Sequence, residues 1–136
     1  MSVVQRPLTI ALPAGRLYAE SAKLLGGCGL PLDDWRGDER RLLWTSPDGN
    51  SRFLVARPAD MVTYVHGGVA DLGITGKDSL METDSDVYEL LDLGFGLCRL
   101  VLAAPDGFAG AGIGTGAGSA VGGPLRVATK YPRLAA

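Results

Sequence analysis

Hydrophobic and polar positions along this chain switch between two periods, and the switches mark its elements. Residues 8–12, LTIAL, make an apolar run of strand length closed by Pro13. From Gly15 to Gly29 the spacing turns helical. Leu17, Ser21, Leu24 and Cys28 fall on one side, while Arg16, Glu20 and Lys23 make a polar face with favourable i,i+3 and i,i+4 charges. Gly26, Gly27 and Gly29 end that helix. The unit is strand, tight turn, helix, and a strand so continuously apolar predicts cover on both faces of its sheet.

The clearest local signal is RRLLWTSPDGNSRFLVAR, residues 40–57. Two strand-like runs flank SPDGN, where Pro47 takes the second turn position and Asp48-Gly49 supplies the reversal, so a β-hairpin is predicted. Next, RPADMVTYVHGG opens with Pro58 suited to a first helical turn and Asp60 where a carboxylate favours a helix start. Gly67 and Gly68 close that helix. VADLGIT (69–75) returns to strand and GKDSLMET (76–83) to a brief helix; VYELLDLG (87–94) and CRLVLAAP (98–105) read as strands. Residues 107–123 hold 8 glycines in 17 residues, which reads as a flexible connector, with an anion-gripping loop as the alternative. LRVATKYPRLAA then supplies one more strand and the first turn of a helix. The expected division is a first α/β lobe over 1–105, a Gly-rich connector over 106–124, and the opening of a second α/β lobe over 125–136. A fuller parent chain is expected beyond Ala136.

Composition narrows the function more than the fold. The chain has 136 residues and a formal net charge of -2, and Arg40–Arg41 is its one adjacent basic pair, so general affinity for nucleic acid is not expected. Its apolar runs fall far short of the roughly 20 residues that a membrane span needs. The start, MSVVQRPLTIALPAGR, is interrupted by Arg6 and Pro7 and is unlike a signal peptide. A cytoplasmic protein is expected. Cys28 and Cys98 lack CxxC spacing and lie beside apolar residues, so they read as buried free thiols in a reducing compartment.

In open α/β sheets ligands sit beyond the carboxyl ends of strands, where helix starts expose backbone amides. LPAGR and TGKD both have that placement. Gly15 and Gly76 would let a ligand approach the backbone, with Arg16, Thr75, Lys77 and Asp78 at the mouth. The plainer alternative is that both glycines only make turns while Lys77 and Asp78 face solvent. Arg57, biased to an extended backbone by Pro58, can meet a carboxylate or phosphate with two hydrogen bonds; Asp60 is the competing partner. Of Arg40 and Arg41, at most one points into a cleft. His66 stands alone without a second ligand at metal spacing and reads as a helix C-terminal histidine. Asp84, Asp86, Glu89 and Asp92 read as a solvated edge. The inventory describes an anion-capable cleft without a covalent nucleophile, which suits chemistry done by positioning and charge stabilisation.

Four segments carry a resemblance to a known family: LTIALPAGR, the long stretch ERRLLWTSPDGNSRFLVARPADMVTYVHGGVADLGITGKDSLME, VYELLDLGFGLCRLVLAAP and LRVATKYP. In that order they resemble the catalytic subunit of ATP phosphoribosyltransferase, the enzyme that opens histidine biosynthesis. The resemblance implies a lobe like those of type II periplasmic binding proteins, two of which enclose a cleft. It implies the joining of ATP to 5-phosphoribosyl 1-diphosphate, giving N1-(5-phosphoribosyl)-ATP and diphosphate, with Mg2+ accompanying the diphosphate. No metal ligand is expected from protein side chains. Carried onto this chain, the substrate-binding set is Pro13, Gly15, Arg16, Arg40, Arg57, Asp71, Thr75, Gly76 and Lys77, with Arg16 and Arg57 stabilising charge.

Two departures stand against it: Ala14 occupies a position where the family usually has lysine, and the family's phosphoribosyl-diphosphate loop belongs to a later segment. The resemblance leans towards the short form, which works with a regulatory subunit resembling histidyl-tRNA synthetase, and it implies an oligomer. Turnover is expected of the parent protein and not of these 136 residues alone. Two other readings stay open: a non-catalytic nucleotide- or anion-binding module, and a chain that only packs against a partner.

Overall fold

The computed structural model describes residues 6–30, 32, 42–104 and 126–136. In chain order the elements are β1 (Leu8–Pro13), α1 (Tyr18–Gly27), β2 (Leu43–Thr45), β3 (Ser51–Ala56), α2 (Pro58–His66), β4 (Leu72–Gly73) and α3 (Lys77–Glu82). The strands form one sheet in the order β2-β3-β1-β4. β1 runs parallel to β3 along its whole length, from Leu8↔Ser51 to Pro13↔Ala56, and parallel to β4 at Ile10↔Leu72 and Ala11↔Gly73. β2 pairs antiparallel to β3.

Turn chemistry fixes the hairpin. Gly49 N–H donates to Ser46 O at 2.9 Å across Pro47 and Asp48, and Ser46 N–H meets Ser51 O at 2.8 Å. The Asp48 carboxylate accepts from the Ser46 hydroxyl and from Asn50 N–H at 3.1 Å. The Ser46 hydroxyl first, and then Asn50, hold Asp48 below the usual carboxylate range. Across the two strands Trp44 stacks on Phe53, with ring centroids 5.3 Å apart and planes 24° from parallel.

Alternation along β1 builds two cores on opposite faces of the sheet. Ile10 and Leu12 join Leu32, Trp44, Phe53 and Val55 on one face, where α1 lies. Ala11 joins Ala56, Met61 and Ala70 on the other, under α2. Both faces are covered, as the hydrophobicity of β1 predicts. The α2 side is built from small residues, so the helix approaches closely. A Cβ on Gly73 would stand 3.0 Å from Val65 Cγ2 and 3.1 Å from Met61 Cγ.

Three expectations are corrected. The buried side of α1 is turned from the predicted stripe. Tyr18, Ser21, Ala22 and Leu25 meet the sheet, Ser21 is fully buried, and Leu24 is exposed. Burying Ser21 is tolerable because its hydroxyl donates to Leu17 O at 2.7 Å. Cys28 caps the exposed end of α1 and Cys98 lies in an irregular stretch, so both thiols are free and exposed.

The third correction concerns the strands expected at 87–94 and 98–105 and after residue 125. The described residues of those segments pair with no strand. A strand needs a neighbour's amides as well as an apolar pattern. Without that neighbour, Tyr88, Leu90, Leu97 and Val101 stay exposed. The Gly-rich connector, 106–124, lies outside the described residues.

Candidate active site

Parallel strands bring their carboxyl ends to one edge, and here three of them do so. Pro13 ends β1 level with Ala56 at the end of β3, and Gly73 of β4 pairs with Ala11. Three turns therefore converge: Ala14-Gly15-Arg16 leading to α1, Arg57 leading to α2, and Ile74-Thr75-Gly76 leading to α3. Gly15 has φ of 85°, the left-handed region, and its carbonyl accepts Tyr18 N–H at 3.0 Å to start the first turn. Ala14 N–H donates to Ala56 O at 2.7 Å and locks the β1 turn to the end of β3. Thr75 Oγ1 donates to Pro58 O at 3.3 Å, joining the β4 turn to the start of α2.

An open cleft of about 1360 Å³ lies over this edge. Its walls include Arg16, Arg57, Thr75, Gly76, Lys77 and Lys130. Arg57 is the extended residue before α2, with φ -66° and ψ 142°, and its side chain is 82% exposed. Its Nε donates to the Asp60 carboxylate at 2.8 Å. Lys77 pairs with Glu89 at 2.9 Å, and that carboxylate first, then the more distant Asp92, raises the lysine above its ordinary value. Gly76 precedes α3 with its backbone extended, and a Cβ there would overlap the Asp78 carboxylate. His66 is the last residue of α2, where a partial positive charge suits the helix dipole.

Of the residues singled out in the sequence, Pro13, Gly15, Arg16, Arg57, Thr75, Gly76 and Lys77 meet at this edge. Arg40 lies outside the described residues. Asp71 also lines the cleft, but its carboxylate is engaged by the sheet. It precedes β4, where its N–H donates to Thr9 O and its carboxylate accepts Thr9 N–H, each at 2.8 Å. The same carboxylate pairs with the Arg6 guanidinium. Thr9 lies four residues before Pro13, so Asp71 sits about 13 Å back along the strand from the turn that ends β1. Its carboxylate closes the start of the β1–β4 pairing.

The sequence reading missed Lys130 and Tyr131. Tyr131 Oη donates to Asp78 Oδ2 at 2.5 Å, which places the segment after the connector against α3. The only signal for this was a lysine beside the tyrosine in ATKYP, on the far side of the connector. Among the described residues, no group of three His, Cys, Asp or Glu side chains could hold a metal ion. Nor is any helix among them long and apolar enough to cross a membrane.

Residues 57–136, which carry two of the three cleft-forming turns, match the sequence model of the family described as HisG, ATP phosphoribosyltransferase. The chain belongs to that family. It is 47% identical over 135 residues to the ATP phosphoribosyltransferase of Moorella thermoacetica, covering 98% of this chain and 58% of that protein. It is 45% identical over 130 residues to the enzyme of Bacillus licheniformis, covering 96% and 56%. The chain thus spans somewhat more than half the length of these curated family members. A solved structure titled ATP phosphoribosyl transferase (HisG:HisZ) complex, from Thermotoga maritima, matches with a TM-score of 0.52 and 30% identity over 62% of this chain and 38% of that one. With it the α/β lobe takes its place in the periplasmic-binding-protein-like fold of the family.

Proposed function

We propose that the intact protein carrying this chain joins ATP to 5-phosphoribosyl 1-diphosphate, forming N1-(5-phosphoribosyl)-ATP and diphosphate at the opening of histidine biosynthesis. The observation that carries this reading is the convergence of Arg16, Arg57 and Lys77 on one sheet edge, in a chain whose family is established. Adenine N1 attacks the anomeric carbon of the ribose as the bond to the diphosphate oxygen breaks. Negative charge builds on the leaving diphosphate. Guanidinium and ammonium groups fixed at the cleft edge stabilise that charge most when it is greatest. The remaining work is alignment, which the three strand-end turns provide. Magnesium enters as part of the diphosphate substrate, and the second lobe of the cleft comes from the rest of the protein. The site comprises Pro13, Gly15, Arg16, Arg57, Thr75, Gly76 and Lys77 from this lobe. A regulatory subunit like the HisZ partner named for the Thermotoga complex, in a cytoplasmic hetero-oligomer, completes the reading.

Arg57→Ala tests it. The pair that Arg57 makes with Asp60 is largely exposed, so its loss should cost at most about 1 kcal/mol of stability. A contact to the leaving group is worth about 2–4 kcal/mol in the transition state. Turnover by the intact protein, supplied with ATP, phosphoribosyl diphosphate, magnesium and the partner subunit, should therefore fall about a hundredfold. The melting temperature should barely move. Absence of phosphoribosyl-ATP from the parent protein, with and without the partner, refutes the activity. A normal rate in the variant removes Arg57 from the site.

A further inference from the structure

The four cations of the cleft divide by what they touch. Arg57 is paired with Asp60 and Lys77 with Glu89, whereas Arg16 and Lys130 form no ion pair among the described residues. Lys130 nevertheless sits on an anchored stretch of backbone. α3 and the loop just after it present three acids to that stretch. Asp78 accepts the Tyr131 hydroxyl at 2.5 Å. The two oxygens of Glu82 accept backbone N–H groups of Arg133 at 2.9 Å and Leu134 at 3.0 Å. Asp84 pairs with the Arg133 guanidinium at 3.2 Å. Thr129 Oγ1 accepts Tyr131 N–H at 3.0 Å from the other side. The ammonium itself rests over the Tyr131 ring, 4.7 Å from its centroid. A ring face is a weaker partner for a cation than a phosphate oxygen, so the ammonium can leave it for an incoming anion.

We propose that Lys130 is a further anion-binding residue of the cleft, contacting phosphate oxygens of a diphosphate-bearing substrate, and that Glu82 is its positioning residue. The inference rests on the functional reading above and adds to it a cation from beyond the connector. Glu82 is suited to the role because a carboxylate accepts two diverging N–H groups at once. A glutamine has one acceptor oxygen, and its amide nitrogen would face a second donor.

The experiment is calorimetric titration of the intact protein with magnesium pyrophosphate, beside steady-state kinetics. Lys130→Ala should weaken pyrophosphate binding about fivefold and raise KM for phosphoribosyl diphosphate to match, with kcat within about twofold. Lys130→Arg should restore most of the affinity, because it keeps the charge. Glu82→Gln should reproduce the loss although the lysine itself is unaltered. Unchanged pyrophosphate affinity in Lys130→Ala overturns the inference and leaves the functional reading standing. A Glu82→Gln protein that melts lower yet binds pyrophosphate like the parent overturns the positioning role. Failure of the parent protein itself to bind pyrophosphate overturns the functional reading and the inference together.

Discussion

Replacing Asp71 tests whether this carboxylate belongs to the sheet or to the ligand. β4 contributes only Leu72 and Gly73 to the ladder with β1, so the pairing depends on what flanks it. On one flank Ile74 N–H meets Ala11 O at 3.0 Å; on the other, Asp71 makes the reciprocal clasp with Thr9. Thr9 is 8% exposed, so an N–H left there without an acceptor costs about 1–3 kcal/mol. The Arg6 pair adds little, because that arginine is 77% exposed. Asp71→Ala should therefore destabilise the folded protein by about 2 kcal/mol, read from urea unfolding midpoints at unchanged slope. Asp71→Asn keeps an acceptor oxygen and loses only the charge, for about half that cost.

The pH dependence follows from the direction of the shift. The Thr9 N–H first, and Arg6 second, hold the folded-state pKa of Asp71 below its ordinary value of 3.8. Over the window between the folded and unfolded values the unfolded chain binds the extra proton, so stability rises with pH there. The advantage of the parent over Asp71→Asn should be constant from neutral pH down to about 5, then shrink as pH falls through the folded pKa. Parent-like stability in Asp71→Ala, together with a raised KM, would refute this reasoning and return Asp71 to the ligand site where the sequence first suggested it.

Other substitutions probe the frame around the cleft. Gly73→Ala should destabilise by about 1–3 kcal/mol, measured by thermal melting, because its new methyl presses on Met61 and Val65 where α2 crosses β4. Gly15→Ala meets open space but must hold φ near 85°, costing about 1–2 kcal/mol, with pyrophosphate affinity falling if the turn relaxes to escape the strain. Phe53→Ala empties a fully buried position under Trp44 and should cost about 3–5 kcal/mol, seen as a large drop in melting temperature.

What the sequence determined by itself was local. SPDGN closes its turn with the bonds its residue types demand, Pro58 and Asp60 open α2, and the apolar run of β1 carries its own demand for two covered faces. Each of these depends on neighbours within a few residues, which is why they are legible in one dimension. The cleft was partly legible for the same reason: parallel strands must put their carboxyl ends together, so turns marked by Gly15, Arg57 and Gly76 had to meet. Tertiary structure decided the rest. The apolar pattern of residues 87–104 offers strands, but pairing is a property of two segments, and no strand pairs with them among the described residues. The rotation of α1 onto Ser21 rather than Leu24 was set by the sheet beneath it. Asp71 lines the cleft, and only the register showed that Thr9 N–H takes up its carboxylate. Lys130 lines the cleft on a stretch that Tyr131 ties to Asp78, a contact spanning 53 positions, and that Glu82 holds through two further hydrogen bonds. Hydrogen bonds between distant segments are chosen by the geometry of the folded chain, and no spacing along the sequence encodes them.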